Sequence, residues 1–214
     1  SEVATSVQQA IDNGFEGFTV TGFNGSTCDN PWSAYVFSRQ YTAPSKTVSS
    51  LMEATDDPRL DYYLNALGKA YIPGDETIAK TVDDARVMKY QPTWYLFGSQ
   101  PIHIMSKAEL YFIQAEVQLR SNVDATSAYQ KAVEASVTEI LTWFGDETTV
   151  PAAAATAKAY ASSLGAPTLQ KLFEQKYVAQ ALDEQVETYN DLRRLKAMGE
   201  EYVILTNPRN AQSG

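Results

Sequence analysis

The sequence predicts a mainly α-helical protein with a loop-rich, irregular first half. Three observations carry that expectation. From Ser106 to Gly199 apolar residues recur at helical spacing with few interruptions. Before Ser106, Gly, Pro, Asn and Ser alternate with aromatic residues and break every run of regular period. Hydrophobic residues make up 44% and charged residues 20% of the 214-residue chain. That ordinary balance permits a real core and excludes global disorder.

Taken in order, Val3 to Ile11 suits a short helix closed by Asn13-Gly14. Phe15 to Phe23 alternates and is β-prone, so a short strand or extended segment is predicted. Asn24 to Tyr41 reads as loop. Thr47 to Ala54, preceded by Ser45, allows about two helical turns before Asp57-Pro58 stops them. Tyr71 to Pro73 and Val87 to Tyr90 are short extended pieces separated by Gly74, Asp75 and Glu76. Gln91 to Pro101 is a second aromatic loop.

Ser106 and Glu109 have capping-box spacing and open a helix with Ala108, Tyr111, Phe112, Ala115 and Leu119 on one face. A second helix is predicted from about Asp124 to Phe144 and a third, alanine-rich, from about Pro151 to a stop at Gly165; small residues let such helices approach closely. The last stretch reads as one long amphipathic helix with Leu169, Leu172, Phe173, Tyr177, Leu182, Val186, Tyr189, Leu192 and Leu195 on its apolar side. Pro167 and Thr168 suit its first turn and Gly199 the left-handed position past its end. Arg193, Arg194 and Lys196 complement its dipole. The organisation is therefore one domain in three stretches: loop-rich 1–105, helical 106–200 and a tail, 201–214.

Composition narrows the function. A net charge of −9 disfavours a nucleic-acid partner, which needs clustered Lys and Arg. The single cysteine excludes an internal disulfide. Cys28 follows Gly25-Ser26-Thr27 rather than an apolar stretch, which argues against an acylation site; a partly buried, inert thiol is expected, with an exposed reactive one as the alternative. No 18-residue apolar run is present, so no helix is long and apolar enough to cross a membrane. The one histidine, His103, sits between two isoleucines and reads as a packed structural residue, far from any nucleophile elbow or zinc-ligand cluster.

Asp56, Asp57 and Asp61, and Asp83 with Asp84, lack the spacing of a calcium loop; capping and pairing with Arg59 or Arg86 is the expectation. Carboxylate pairs could suggest a glycosidase, but with 26 acids in the chain some pair always meets the required distance. No metal or cofactor is implied.

Aromatic residues say more. They form 11% of the chain, and Phe23, Trp32, Tyr35, Phe37, Tyr41, Trp94, Tyr95 and Phe97 lie in predicted loops. Flat C–H faces of sugars stack on such rings while Asn, Arg and Gln bond the hydroxyls, and Asn24, Asn30, Arg39, Gln40 and Gln91 are close in sequence. Trp94 and Tyr95, then Trp32 and Tyr35, are the candidate carbohydrate-binding residues. Neighbours on an extended segment point to opposite sides, so at most one of Trp94 and Tyr95 is expected to face a ligand.

Four ordered segments resemble the SusD/RagB-like outer-membrane nutrient-binding family. Glu53 to Tyr63 is similar to its DPR-L-x-x-Y element. Gln100 to Glu116 is similar to its P-(I/L)-x-(I/L)-M-x-x-AE-x-x-F-(I/L)-x-AEA element, and Ala125 to Ser136 to the A-x-x-x-Y stretch that follows. Leu169 to Gly199, with QKY-x-A-x-A-L and the Asp191-Leu192-Arg193-Arg194 ending, resembles its C-terminal signature helix. Three departures stand out: Ser121-Asn122-Val123-Asp124 replaces a glycine-containing turn, Val117 replaces alanine, and Tyr189 replaces tryptophan.

The resemblance implies a tetratricopeptide-related helical scaffold, with Asp191, Arg193 and Arg194 tying the signature helix to neighbouring segments. It also implies a lipid-anchored, non-catalytic protein on the outer-membrane surface. Such a protein captures oligosaccharides or other nutrients and passes them to a partner SusC-like TonB-dependent transporter. The family's N-terminal helical half has no counterpart, so the chain is expected to be the C-terminal part of a single SusD-like domain. Two rival readings remain: a carbohydrate-active enzyme, glycosidase-like, and a helical scaffold that binds only protein.

Overall fold

The computed structural model describes residues 2–24, 26–31, 46–63 and 101–205. Its elements are, in order, α1 (Glu2–Asp12), β1 (Phe18–Val20), α2 (Lys46–Glu53), α3 (Leu60–Tyr63) and β2 (Ile102–Met105). Then follow α4 (Lys107–Arg120), α5 (Thr126–Phe144), α6 (Thr149–Ser163), α7 (Leu169–Ala179) and α8 (Gln185–Ala197). The architecture is mostly helical, as predicted. Two compact units divide the chain: Ser1–Val20, Ile102–Glu139 and Pro151–Val203 form the first, and Thr21–Pro101, Ile140–Val150 and Ile204–Gly214 the second.

In the first unit, β1 and β2 pair antiparallel, with Thr19 opposite His103. The alternation over Phe15 to Phe23 thus yields three strand residues. Ser106 is the N-cap of α4, its Oγ accepting from Glu109 N at 3.0 Å. That helix packs on α1 and α7. Its end shows how the turn without glycine works. Asn122 takes the left-handed conformation (φ +56°), and Val123 N donates to Gln118 O at 2.9 Å while Asn122 N donates to Leu119 O at 3.1 Å. Asn tolerates that conformation better than most residues, so it closes a Schellman turn in glycine's place.

The core follows the predicted stripes. Phe112 and Ala115 on α4 and Ala128, Tyr129, Ala132, Val133 and Val137 on α5 are buried, with Phe112 and Tyr129 edge-to-face at 6.5 Å. Ala153, Ala157 and Ala161 give α6 a small-residue face, and Leu172, Phe173 and Val178 fill in from α7. Each large apolar side chain so buried contributes about 2 kcal/mol.

The stretch from Leu169 to Gly199 is a correction. It is two helices, α7 and α8, broken at residues 180–184. The cause is non-local. Asp183 Oδ2 accepts from His103 N at 2.8 Å, and Glu184 Oε1 accepts from Ser106 N at 2.7 Å. The Ser106 bond is buried, and losing the acceptor of a buried amide costs more than one interrupted helical turn. The break also turns the face of α8: Val186 and Tyr189, expected inside, are 71% and 59% exposed, while Leu195 stays buried. Thr168 caps α7 through Lys171 N at 3.2 Å. Gly199 takes the left-handed conformation (φ +73°) that its position requires, with Glu200 N bonding Leu195 O at 2.9 Å.

In the second unit α2 packs on α3. The turn between them is tied by Asp57, whose Oδ1 accepts from Arg59 N and Nε, both at 2.9 Å; both side chains are fully buried. This is the capping and ion pairing expected there. Gly145, at the end of α5, has room for nothing larger: an added Cβ would collide with Leu141 O and lie 2.9 Å from the Thr149 side chain. Gly145→Ala is expected to cost about 1–3 kcal/mol through that overlap. Urea unfolding measures it, and a midpoint equal to wild type refutes the close-packed turn.

Candidate functional site

Trp32, Tyr35, Trp94 and Tyr95 lie outside the described residues, as do Phe37, Tyr41, Phe97, Arg39, Gln40 and Gln91 and the Asp83-Asp84-Arg86 cluster. Of the loop candidates that are described, Asn24 folds onto its own turn, its Oδ1 accepting from Thr27 N at 2.9 Å and Cys28 N at 3.0 Å. Asn30 is buried. Cys28 is exposed, which corrects the expectation of a partly buried thiol. No apolar segment precedes it to fold over the sulfur.

The charged residues of the family-like words are brought together in the first unit. Four contacts link the β2–α4 segment to the α8 segment at nearly constant sequence offset: His103 with Asp183, Ser106 with Glu184, Glu116 with Arg194, and Arg120 with Glu200. A nearly constant offset means that the two segments run in the same direction, bridged by long charged side chains. Between them, with α1 and α7, lies a cleft of about 460 Å³ whose walls include Val3, Glu109, Ile113, Glu116, Arg120, Lys176, Glu187, Asp191 and Arg194.

The charges along this cleft alternate in sign. Lys176 Nζ lies 2.6 Å from Asp191 Oδ2 and 3.7 Å from Glu109 Oε1. Asp191 Oδ1 accepts from Arg194 Nη2 at 2.8 Å. Arg194 grips Glu116 with both terminal nitrogens, at 2.6 and 2.9 Å. Arg120 adds Nε to Glu116 Oε1 at 2.7 Å and forks onto Glu200 at 3.0 and 2.7 Å. Burial pushes the Glu116 carboxyl up, but the bonds from Arg194 and then Arg120 outweigh it and hold it below the usual range. Glu109 differs. Burial is the largest influence, Lys176 opposes it, Glu184 and Glu187 reinforce it, and the carboxyl is pushed up to about 8.

One member departs from the expected tying role. Arg193 is exposed and lies over the Tyr189 ring of its own helix at 5.6 Å. It sits one position off the face that meets α4. Asp191 and Arg194 do tie the helix to its neighbours.

His103 forms a second cluster. Its ring is packed, as its apolar neighbours imply, with Nδ1 3.0 Å from Asp183 Oδ2 and Nε2 3.1 Å from Glu139 Oε2. Burial alone would lower its pKa, yet the bonds and charges of the two carboxylates raise it to about 10. The imidazole is therefore a cation at neutral pH, unlike the neutral ring a general base requires.

Chemically, Glu116 and Asp191 are committed to cations, an arrangement suited to holding helices, whereas the Glu109 carboxyl is pushed up toward its protonated form. The cleft has the size of a small-molecule site, but its charges compensate one another. Sequence reasoning missed Glu109 and Glu116 as network members. The available signal was two acids seven residues apart, on the same face as Phe112 and Ala115.

The SusD-like family, described as starch-binding and associating with the outer membrane, matches over residues 2–209. A SusD/RagB family protein of Bacteroides thetaiotaomicron superposes with a TM-score of 0.71 at 22% identity, covering 97% of this chain and 51% of that one. A SusD homologue of Bacteroides fragilis gives 0.66 at 23% identity, covering 89% and 46%. A Bacteroides vulgatus outer membrane protein, with nutrient binding as its suggested role, gives 0.57 at 15% identity, covering 94% and 52%. At these identities the likeness is one of fold, and the chain spans about half the length of these structures. No curated protein sequence matches.

Proposed function

The chain belongs to the SusD-like family of starch-binding, outer-membrane-associated proteins, and from that premise we propose that it serves non-catalytic capture of oligosaccharides or other nutrients at the cell surface. The captured ligand passes to a SusC-like TonB-dependent transporter, and a lipid anchor outside these residues holds the protein to the outer membrane. The observation that carries this reading is the family match along nearly the whole chain. The charge network is compatible with a scaffold that holds its helices together, since Glu116 and Asp191 are engaged by Arg194, Arg120 and Lys176.

The proposed ligand-stacking residues are Trp94 and Tyr95, then Trp32 and Tyr35. A good aromatic platform is worth about 1–3 kcal/mol, by analogy with base stacking. Trp94→Ala should therefore weaken glycan binding about fivefold or more without lowering the unfolding temperature. Calorimetric titration with starch-derived oligosaccharides and a panel of other glycans tests both levels of the claim. Binding that is equal in wild type, Trp94→Ala and Trp32→Ala removes the site assignment. Absence of binding to every glycan favours another nutrient or the protein-binding scaffold, and shortening of the oligosaccharide during incubation identifies an enzyme.

A further inference from the structure

We propose that the outward side of α8 is a glycan-stacking subsite, on which one sugar ring lies against Tyr189 and Val186 while Asn190 bonds its hydroxyls. The proposal rests on the reading of the chain as a glycan-capture protein and adds a site separate from the aromatic loops. It begins with the break between α7 and α8, which leaves Val186 and Tyr189 71% and 59% exposed. At about 100° per residue, Val186, Tyr189, Asn190 and Arg193 fall within one stripe about 100° wide, and all four are exposed. The adjoining flank turns Asp191 and Arg194 to the cleft, and Leu195 is buried. The stripe is therefore distinct from the ion pairs that hold α8 in place.

Within it, the tyrosine ring is held from one side only. Arg193, one turn later, lays its guanidinium over the ring at 5.6 Å from the centroid. Among the described residues no other group bonds to Tyr189 or stacks on it, so its second face and its hydroxyl are open. The Asn190 side chain likewise makes no hydrogen bond. An apolar ring face rimmed by a free amide and a free hydroxyl matches a sugar, whose C–H face stacks while its hydroxyls need donors and acceptors. The size of the patch favours a sugar over a protein partner. Tyr189 and Val186 together expose roughly 200 Å², whereas a stable protein contact covers about 800 Å² on each side. Asn190, Arg193 and Lys196, all polar and exposed, bound the apolar part within two turns. A ring carried on a helix is also held at a fixed place on the scaffold, as a stacking surface requires.

NMR titration of the isotope-labelled chain reads this subsite by itself, whatever the chain binds elsewhere. The probes are maltohexaose, xylohexaose and oligogalacturonate. Amide signals of Val186, Tyr189 and Asn190 are expected to shift saturably with at least one of them. Tyr189→Ala is expected to raise the dissociation constant read at Asn190 about fivefold or more, while Tyr189→Phe keeps it within about twofold because the stacking face survives. Asn190→Ala should raise the constant read at Val186 about threefold through the lost hydrogen bond. Arg193→Ala leaves the open face in place and should keep the wild-type value. The substituted side chains are exposed, so melting temperatures should match wild type and the affinities compare folded proteins. A probe that binds while these amides stay still, or that binds Tyr189→Ala as tightly as wild type, removes the subsite and leaves glycan capture standing. Absence of binding by every probe removes the glycan reading and the subsite with it. Self-association in light scattering that Tyr189→Ala abolishes would make this face a contact between copies of the chain, and also overturns the subsite.

Discussion

Arg194→Ala is expected to destabilise the protein by about 2 kcal/mol, while Arg193→Ala, one residue away, costs about 0.5 kcal/mol or less. The two arginines share a helix, a charge and a family motif, and differ only in where they point. Arg194 holds both oxygens of Glu116 and one of Asp191, and its guanidinium lies over the Phe173 ring at 5.7 Å. Removing it leaves the Glu116 carboxylate, 10% exposed, with Arg120 alone. The upper range for breaking a buried pair is not reached, because the Arg194 side chain is itself 41% exposed and partly screened by water. Arg193 gives up only its contact with Tyr189. For a chain of this length, 2 kcal/mol corresponds to a melting temperature lower by about 4–8 °C. Ligand affinity of the folded fraction should be unchanged in both variants. Equal melting losses for the two, or an affinity loss at an unaltered melting temperature, would falsify the structural assignment of Arg194.

The helix ends were legible because their signals are local. Ser106 and Thr168 at N-caps, Gly199 in the left-handed position and the stripe from Ala128 to Val137 need only neighbouring residues to be read. The break between α7 and α8 was not legible. Residues 180–184 contain no Pro or Gly, and the periodicity runs through them. What interrupts it is the demand of His103 and Ser106 amides some eighty residues earlier in the chain. Tertiary hydrogen bonding overrides a helical period when the alternative is a buried, unpaired donor.

The charge network was half legible. Asp191, Arg193 and Arg194 stand out as a motif, but spacing alone cannot say which arginine crosses to α4. Glu109 and Glu116 read as solvated acids on an amphipathic helix, since most glutamates are exposed. Their burial becomes intelligible only once Lys176, Arg120 and Arg194 are placed opposite. The aromatic candidates rest on loop composition, a signal that names residue types without fixing where rings point.

His103→Gln should carry the other large effect, about 2 kcal/mol at neutral pH, because it removes a buried cation that two half-buried carboxylates meet. Asp183 and Glu139 face opposite ring nitrogens, and the Glu139 carboxyl is pushed up by its burial even with the imidazolium beside it. Glutamine keeps most of the volume and donates one or two neutral hydrogen bonds, so a loss of this size reports charge rather than a cavity. The pH dependence supplies the sharper test. The folded-state pKa of His103 is raised to about 10 from an ordinary 6.5. The imidazolium contribution is therefore fully present below pH 6.5 and is lost as pH rises through about 10. The stability advantage of wild type over His103→Gln should shrink steadily across that window, when measured by urea unfolding at fixed ionic strength. Imidazole carbon and nitrogen shifts should likewise remain those of the charged ring at pH 8, well above where an unperturbed histidine titrates. An advantage that stays constant across the window, or a ring that titrates near its ordinary value, would show that His103 is packed as a neutral residue and that Asp183 holds β2 through the His103 backbone amide alone.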